Sequence, residues 1–447
     1  MSRGADMKIN SGSNKQIFDL FNRNFLVRVF FYFVLLCLVW SIRFPFIFRK
    51  IYAEDGELFL ADALRFHFPL DLLHPATGYS QLIQRLGGRF VSMFPLEYAP
   101  MVCGIFSAIC LSFFAAGVFQ YNNFITQDIW PRFILSLTLI FLPLTSYSAV
   151  GNVANLYVFP TVASAILLYH NESTKKAIWY KSAVYLLATL SLPLSAFLLP
   201  IMLHRSYLDK KVSGRWKIQH SDVAFLSGLF TQFIFIMVTS LGDRLPHSPS
   251  SPLKTIYLYL DRGIGISTIP KWGFVSGSSG NIKYDGTVFF LQSPAIRMVA
   301  VLAVLACIAS IYIKSRKALS NRIQSQIFFI VFLGFIYSIL VGLFFNLEPR
   351  YMIFVSFLTC WALLLLFESQ PNRRLRSALN IYLVIVLMLG LNASAHRSQG
   401  PSWDAEFLKA KIACQSDSNL TEVRIRTIPV DAFWEMTIPC EKLKNSD

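Results

Sequence analysis

Three carboxylates follow the first long apolar stretch of the chain, in the order Glu54-Asp55-Gly56-Glu57. Ionisable side chains at the edge of a membrane span are costly unless they face water or take part in chemistry. A carboxylate in that position can remove a proton from an incoming hydroxyl group. We therefore interpret Glu54 and Asp55 as candidate general bases, with Glu57 and Asp62 as alternatives. Capping the positive end of a surface helix is the other role open to these acids.

Three arginines have the chemistry to hold a phosphate. Arg350 opens a late apolar stretch directly after the turn Glu348-Pro349, and Arg85 and Arg89 lie one turn apart on a predicted surface helix. A guanidinium group binds phosphate oxygens through charge-assisted, often paired, hydrogen bonds. We predict that all three arginines are phosphate ligands. The alternatives are an interface anchor for Arg350, and contact with an acceptor sugar or a solvated helix face for Arg85 and Arg89.

Amide and aromatic side chains lie at the outer end of the fourth predicted span, where Asn152 and Asn155 precede Tyr157. These residues can bond sugar hydroxyls or cap a helix, and the sequence leaves both roles open. His67 and His74 lack the His, Cys or carboxylate spacing of a zinc site, so no metal centre is predicted. The chain also has no glycine-rich loop of the kind that holds nucleotide phosphates, which disfavours a nucleotide-sugar donor.

The composition is that of a membrane protein, since 54% of the 447 residues are hydrophobic and only 15% are charged. Soluble domains carry about 25% charged residues. The net charge of +16 is also compatible with nucleic-acid binding. Most Lys and Arg residues, however, fall in short loops between apolar runs, where they keep those loops in the cytoplasm. We expect a multi-pass protein of the bacterial inner membrane with no nucleic-acid partner.

Charge and hydropathy together predict an all-α polytopic fold of about nine transmembrane helices. The apolar segment 183–203 has basic residues on both flanks and contains Pro193 and Pro200. These features favour a re-entrant hairpin over a full span. The predicted organisation is a cytoplasmic tail 1–24, a transmembrane module 25–395 with outer loops 51–97 and 243–293, and an outer C-terminal tail 396–447. Within the first outer loop, two amphipathic stretches predict helices at the membrane surface.

Two of the seven cysteines, Cys414 and Cys440, lie in the polar C-terminal tail, whereas the other five lie in apolar spans. Cysteines in apolar spans behave as ordinary small hydrophobic residues. If the tail lies in an oxidising compartment, its two cysteines can form a disulfide. The sequence alone leaves that pairing open.

The polar residue clusters all fall on the outer side of this predicted topology. Transfer of a sugar from a lipid phosphate needs a base for the acceptor hydroxyl, cations for the phosphate and an apolar groove for the lipid. A flippase or transporter would need polar residues near the middle of the bilayer, and the predicted spans have almost none. A polysaccharide polymerase is a second alternative, because it shares the lipid-linked acceptor.

The pattern resembles the GT-C class of membrane glycosyltransferases, which use polyprenyl-phosphate donors and carry acidic residues in the first external loop. The matching features are Ala53-Glu54-Asp55-Gly56, the two asparagines at span four, Arg350-Tyr351 and the hairpin sequence Leu190-Ser191-Leu192-Pro193-Leu194. In length and topology the chain is also similar to the serotype-converting Gtr O-antigen glucosyltransferases of Gram-negative bacteria and their phages. The tails of those proteins carry an aromatic residue, a Cys and a Lys, matched here by Phe433-Trp434, Cys440 and Lys442 or Lys444.

The resemblance implies that a glucosyl or related hexosyl group moves from undecaprenyl phosphate to lipid-linked O-antigen in the periplasm, with inversion and without a cofactor. The product is lipopolysaccharide of altered serotype, and a donor synthase and a donor flippase are the implied partners. The implied roles are catalysis by Asp55 and Glu54, donor phosphate binding by Arg350, Arg89 and Arg85, and acceptor binding by Asn152, Asn155, Tyr157, Glu348, Phe433, Trp434 and Lys442.

Overall fold

Most of the described chain is helical. The structure is a computed structural model, and it describes residues 24–74, 78–122, 128–239, 251–270, 272, 274–276, 283–285, 293–317, 319–344, 349–391, 400–428 and 434–444. Strands in these ranges are confined to two small sheets, each of two strands. The prediction of a helical fold therefore holds, with two small sheets as the exception.

Six of the described helices are long and apolar enough to cross a membrane. They are Phe25–Arg43, Leu96–Tyr121, His220–Val238, Pro294–Ser315, Asn321–Leu343 and Arg350–Glu368. A backbone inside a bilayer must satisfy its own hydrogen bonds, and a continuous helix does so. The chain is therefore a helical, polytopic membrane protein, as the sequence predicts.

Three further predicted spans correspond to shorter helices. Span three comprises Ile129–Phe141 and Pro143–Ser148, span four comprises Val158–Leu167, and the last span comprises Arg373–Leu389. Pro143 has no N–H to donate, so it ends the first of these helices and begins the next. The total of nine spans remains a prediction.

Three of the long apolar helices have slightly different bounds as α-helices, namely Ala99–Tyr121, Asn321–Phe344 and Pro349–Glu368. The remaining α-helices are Ala61–Arg65, Leu70–Leu73, Leu82–Ser92, Lys175–Thr189, Leu199–Ser213, Pro252–Leu258, Ile266–Thr268, Trp403–Ser416 and Cys440–Lys444. The 3₁₀ helices are Pro45–Phe48, Leu96–Tyr98 and Pro193–Leu198, and the π-helices are Asp55–Leu60 and Tyr259–Gly265. The antiparallel strand pairs are Phe274–Ser276 with Lys283–Asp285, and Glu422–Arg426 with Glu435–Pro439.

The predicted hairpin 183–203 contains a chain reversal between helices Lys175–Thr189 and Leu199–Ser213. Lys181 on the first helix donates to Gln219, and Arg205 on the second donates to Asp222. Both acceptors lie at the start of helix His220–Val238, so the chain returns after the turn to the level it had left. The two helices therefore run in opposite directions. A reversal of this kind is what the hairpin prediction requires, and its depth in a bilayer stays a prediction.

Part of the predicted outer loop 243–293 is a packed helical segment. Residues 252–268 are helical throughout, and this segment packs against the first half of helix Pro349–Glu368. A Cβ atom at Gly263 would lie 2.7 Å from Val355, so a glycine suits this close approach. The abundance of Gly, Ser and Pro in the loop as a whole concealed the segment from sequence analysis.

The predicted C-terminal tail is a folded unit, which we call the C-terminal unit (residues 400–428 and 434–444). Helix Trp403–Ser416 packs against the second strand pair. Met436 and Ile438, which are two residues apart in one strand, are both fully buried, as expected for side chains on one face of a sheet. These side chains belong to the main hydrophobic core of the protein, so the unit is packed onto the rest of the described chain.

The C-terminal unit is bound by backbone hydrogen bonds to the chain that follows helix Phe25–Arg43. The Ile428 amide donates to the carbonyl of Ile51 at 3.0 Å, and the Ile428 carbonyl accepts from the amide of Ala53 at 2.6 Å. The Trp403 amide donates to the carbonyl of Arg49 at 3.0 Å. The end of the chain is thus fixed against the residues that precede the three carboxylates.

A disulfide joins Cys414 to Cys440 across a separation of 26 residues. Because the bond restricts the unfolded chain, Cys414→Ser should destabilise the C-terminal unit by about 2–4 kcal/mol. The long apolar helices should be unaffected. Hydrogen exchange measured by mass spectrometry should show faster exchange in strands Glu422–Arg426 and Glu435–Pro439 and unchanged exchange in the apolar helices.

Alkylation of the unfolded wild-type protein provides the control. Five cysteines are free and seven are present, so five labels are expected without reductant and seven with it. Seven labels in the absence of reductant would contradict the disulfide.

Candidate active site

The acidic segment, which we define as Ala53–Glu57, begins on strained backbone. Ala53 has a φ of 26°, in a region that residues other than glycine rarely adopt. The hydrogen bond from its amide to Ile428 holds it there. From Asp55 to Leu60 the chain forms a π-helix, a rare conformation that is frequent at functional sites. Tertiary contacts, rather than local propensity, therefore set the conformation of the acidic segment.

Asp55 fixes the acidic segment to a distant turn. The residue is only 3% exposed. One carboxylate oxygen accepts a hydrogen bond from the amide of Val153 at 3.1 Å, and the other accepts from the amide of Ala154 at 2.6 Å. Hydrogen bonds to an ionised group are about twice as strong as those between neutral groups. This contact therefore holds the acidic segment against the chain that leads into helix Val158–Leu167.

The turn that supplies the two amides depends on glycine and asparagine. Gly151 has a φ of 69°, and a Cβ atom there would lie 2.3 Å from Ile47, so both conformation and space require glycine. The side-chain oxygen of Asn152 accepts from the amide of Asn155 at 3.1 Å and closes the turn. Successive amides that point the same way form a concave binding site for an anion, which here is the Asp55 carboxylate.

Glu54 meets Arg350 beside this turn. Glu54 Oε1 and Arg350 Nη1 are 3.4 Å apart, and their side chains are 20% and 27% exposed. The guanidinium carbon of Arg350 also lies 5.4 Å from the centre of the Tyr351 ring. Unlike Asp55, this pair is accessible from outside. It combines a group that can accept a hydroxyl proton with a cation that can bind a phosphate.

The loop helix, Leu82–Ser92, packs on both parts of the site. A Cβ atom at Gly88 would lie 2.3 Å from the carbonyl oxygen of Phe59, and one at Gly87 would lie 2.4 Å from Val153. Two neighbouring glycines therefore allow the loop helix to approach the π-helix on one face and the amide-bearing turn on another. Larger residues at these positions would separate the elements that position Asp55.

The two arginines of the loop helix face carboxylates. Arg85 Nη1 lies 2.5 Å from Asp62 Oδ2, and Arg89 Nε lies 3.8 Å from Asp71 Oδ2. Arg85 is buried and Arg89 is partly exposed. Their predicted role as donor phosphate ligands stays a prediction, and the carboxylates beside them favour a different kind of ligand.

The predicted acceptor ligands are divided between the turn and the C-terminal unit. Asn152, Asn155 and Tyr157 are at most 5% exposed and belong to the turn beside Asp55. Trp434 is half-buried in the C-terminal unit, and Lys442 is exposed on its last helix. Glu348 and Phe433 lie outside the described residues. The structure thus gathers Glu54, Asp55, Asn152, Asn155 and Arg350 into one region.

Two contributors to the site were missed by sequence analysis. The amides of Val153 and Ala154 bind Asp55, and Ile428 binds the backbone of the acidic segment. Gly151-Asn152 is a visible turn signal, and it was the one available hint of the first contribution. Backbone groups have no side-chain signature, so neither partner could be identified from residue types.

Metal binding and similarity to known proteins are two further sources of evidence about function. Within the described ranges, no group of three or more His, Cys, Asp and Glu side chains is arranged to hold a metal ion. No model of a protein family, no curated protein and no solved structure matches this chain. The contacts of Glu54, Asp55 and Arg350 are therefore the basis for proposing a function.

Gly56 allows the C-terminal unit to approach the acidic segment. A Cβ atom at Gly56 would lie 2.9 Å from Thr427 Cγ2 and 3.0 Å from Ile51 Cγ2. Gly56→Ala should therefore loosen the contact at a cost of about 1–3 kcal/mol. Thr427→Ser removes the obstructing methyl group and should restore part of the loss. Limited proteolysis of the C-terminal unit measures the effect.

Gly334→Ala is the matched control, because its Cβ atom would lie 3.7 Å from Val355, at ordinary contact distance. This variant should be as resistant to proteolysis as the wild type. Equal resistance of Gly56→Ala and Gly334→Ala would contradict the close packing at the acidic segment.

Glu57 should make the stability of the protein depend on pH. Partial burial, followed by the nearby carboxylates of Glu54 and Glu435, raises the pKa of Glu57 above its ordinary value of 4.5. A raised pKa means that folding disfavours the ionised form, so the penalty is present at neutral pH and disappears as the pH falls below 4.5. Glu57→Gln should thus raise the melting temperature at pH 7, with a difference that vanishes in acid.

Melting curves of Glu57→Gln and of the control Glu441→Gln, which also lies at an exposed position, measure the difference across this pH range. The control should follow the wild type at every pH. A stabilisation by Glu57→Gln that grows as the pH falls would contradict the raised pKa.

Proposed function

We propose that this chain is an inverting membrane glycosyltransferase that uses a polyprenyl-phosphate sugar as its donor. The reaction moves a glucosyl or related hexosyl group from undecaprenyl phosphate to a hydroxyl of lipid-linked O-antigen. It takes place at the periplasmic face of a bacterial inner membrane and alters the serotype of the lipopolysaccharide. A donor synthase and a donor flippase supply the lipid-linked sugar on that face.

The observation that supports this proposal most directly is the contact between Glu54 and Arg350. The pair is partly exposed and lies at the start of Arg350–Glu368, a helix long enough to cross a membrane. A lipid phosphate can bring its charged group to the end of such a helix while its apolar tail stays among apolar surroundings. A base and a cation at one point are the two groups that sugar transfer from a lipid phosphate requires.

The proposed reaction is a single displacement. The acceptor hydroxyl oxygen forms a bond to the anomeric carbon while the bond from that carbon to the phosphate oxygen breaks. The bonding electron pair leaves with the phosphate, whose growing negative charge Arg350 stabilises, and the hydroxyl proton passes to Glu54. Attack from the side opposite the phosphate inverts the anomeric centre. Water must be excluded, because it would compete with the acceptor.

Asp55 has a positioning role in this proposal. The resemblance to GT-C enzymes leaves open which of the two acids is the base. The Glu54 side chain is 20% exposed, whereas Asp55 is 3% exposed and its two oxygens bind backbone amides. These differences favour Glu54 as the base. Asp55 then holds the backbone so that the preceding residue faces Arg350.

Arg350 also orders the steps of the reaction. Its guanidinium pairs loosely with Glu54, at 3.4 Å. An incoming donor phosphate competes for the guanidinium and can form two parallel hydrogen bonds with it. Glu54 then loses its partner and becomes available for the hydroxyl proton. Donor binding therefore precedes deprotonation of the acceptor.

Substitution of the two acids tests the proposal. Glu54→Gln should lower sugar transfer by about a hundredfold or more, because an amide cannot take up the proton. Asp55→Asn should also lower transfer, because one of its two acceptor oxygens becomes an NH₂ group that opposes a backbone N–H. Linkage analysis of lipopolysaccharide by mass spectrometry, from cells with equal amounts of each variant in the membrane, measures the transfer.

Glu406→Gln makes the same chemical change on the C-terminal unit and should transfer sugar normally. Full transfer by both Glu54→Gln and Asp55→Asn would contradict the proposal. A change in O-antigen chain length with unchanged branch sugars would instead indicate a polymerase. Loss of the lipid-linked sugar from the outer face of the membrane would indicate a flippase.

A further inference from the structure

Four charged side chains, two from the loop helix and two from the short helices that precede it, form a cluster away from the proposed reaction. Arg85 pairs with Asp62 at 2.5 Å, and Arg89 lies 3.8 Å from Asp71. We call these four residues the charged cluster. Residues two positions apart do not share a helix face, so Arg85 and Arg89 point away from Gly87 and the amide-bearing turn.

Several polar atoms of the charged cluster are buried without a hydrogen-bond partner among the residues that the structure describes. Both carboxylate oxygens of Asp71 and the Nε and Nη2 atoms of Arg85 are of this kind, although the two residues are only 1% and 2% exposed. Both side-chain amide atoms of Gln84, the residue before Arg85, also lack a partner among the described residues. Gln84 is 1% exposed. A buried polar atom left without a partner costs about 1–3 kcal/mol. Such a concentration needs an explanation, and a polar ligand that completes the site would supply the missing partners.

The charges of the cluster indicate the class of that ligand. Two aspartates and two arginines carry no net charge between them, and the unpartnered acceptors of Asp71 accompany the unpartnered donors of Arg85. A phosphate would be repelled by the carboxylates, and a metal ion would be repelled by the guanidinium groups. A hydroxyl group both donates and accepts hydrogen bonds. A neutral molecule with several hydroxyls therefore satisfies both sets of atoms.

Aromatic rings border the charged cluster. Phe66 stacks on His74 with ring centres 4.7 Å apart, and His74 Nδ1 lies 3.4 Å from Asp62. The ring of Phe68 lies 6.0 Å from the guanidinium carbon of Arg89 and is 61% exposed. A sugar ring has apolar C–H faces and hydroxyl edges. Apolar walls with a few well-placed polar groups suit such a molecule.

We propose that the charged cluster is a saccharide-binding site, with Asp71 as the principal hydroxyl acceptor and Arg85 as the principal donor. The cluster and the turn that binds Asp55 lie on opposite sides of the loop helix, whose diameter is about 10 Å. A short oligosaccharide spans that distance. The identification of this sugar as part of the transfer acceptor rests on the proposed function, whereas saccharide binding itself does not.

Asp71→Asn in the full-length protein, purified in lipid nanodiscs, tests the site. Saturation-transfer difference NMR is recorded with the methyl glycosides of glucose, galactose, rhamnose and N-acetylglucosamine, and inorganic phosphate is then added as a competitor. At least one glycoside should bind the wild type, and its affinity should fall about tenfold or more in Asp71→Asn. Phosphate should not displace it. Asp404→Asn, the same change at an exposed position, should bind as the wild type does.

Two further measurements separate binding from folding and from catalysis. Asp71→Asn should keep or raise the melting temperature, because residues kept for binding are often unfavourable for stability. Phe68→Leu, at an exposed position, removes the ring beside Arg89, leaves Asp71 and Arg85 unchanged and should also weaken binding. Glu54→Gln should bind the glycoside normally even if it transfers no sugar, so failure of the proposed function is distinguishable from failure of this site.

Three results would overturn the saccharide site. These are binding of none of the glycosides by the wild type, wild-type affinity in both Asp71→Asn and Phe68→Leu, and displacement of the glycoside by phosphate.

Discussion

The proposed site depends on one contact, the buried carboxylate of Asp55 bound to two successive backbone amides. Asp55 and Val153 are separated by 98 residues in sequence, so this contact determines where the acidic segment lies relative to the helices. In a buried setting such hydrogen bonds are strong, and leaving the carboxylate without them would be costly. Because Glu54 is the preceding residue, its direction follows from the position of Asp55. The accessible Glu54–Arg350 pair is thus a consequence of a buried anchor.

The C-terminal unit also contacts the acidic segment. Ile428 forms backbone hydrogen bonds with Ile51 and Ala53, and the Thr427 side chain packs directly against Gly56. The disulfide and the packing of its apolar side chains onto the main hydrophobic core give this unit a fixed shape. The acidic segment is therefore positioned by the loop helix, by the turn that supplies the two amides and by the C-terminal unit. Its Glu54 also contacts Arg350 at the start of helix Arg350–Glu368. This convergence explains why the acidic segment functions, in our proposal, only within the whole fold.

The sequence was sufficient to predict the long helices, because membrane spans depend on local composition. Residue type and position alone also identified Glu54 and Arg350 as partners for one chemistry, and the structure brings them to 3.4 Å. The amide partners of Asp55 were not predictable, since they depend on the left-handed φ of Gly151. The π-helix and the folded C-terminal unit were missed because tertiary contacts, not periodicity, create them. Arg85 and Arg89 were assigned to phosphate from the chemistry of their side chains, and that assignment stays a prediction. Their neighbours Asp62 and Asp71 come from a separate part of the loop, so the sequence did not indicate those contacts.

The decisive measurement is a cryo-electron microscopy structure of the protein with undecaprenyl phosphate in a lipid nanodisc. We expect a phosphate oxygen about 3 Å from the guanidinium of Arg350. Glu54 should have turned from Arg350 toward the acceptor side, and Asp55 should still bind the amides of Val153 and Ala154. A phosphate bound away from Arg350, or an Asp55 carboxylate that has left those amides to contact the lipid, would contradict the proposed reaction.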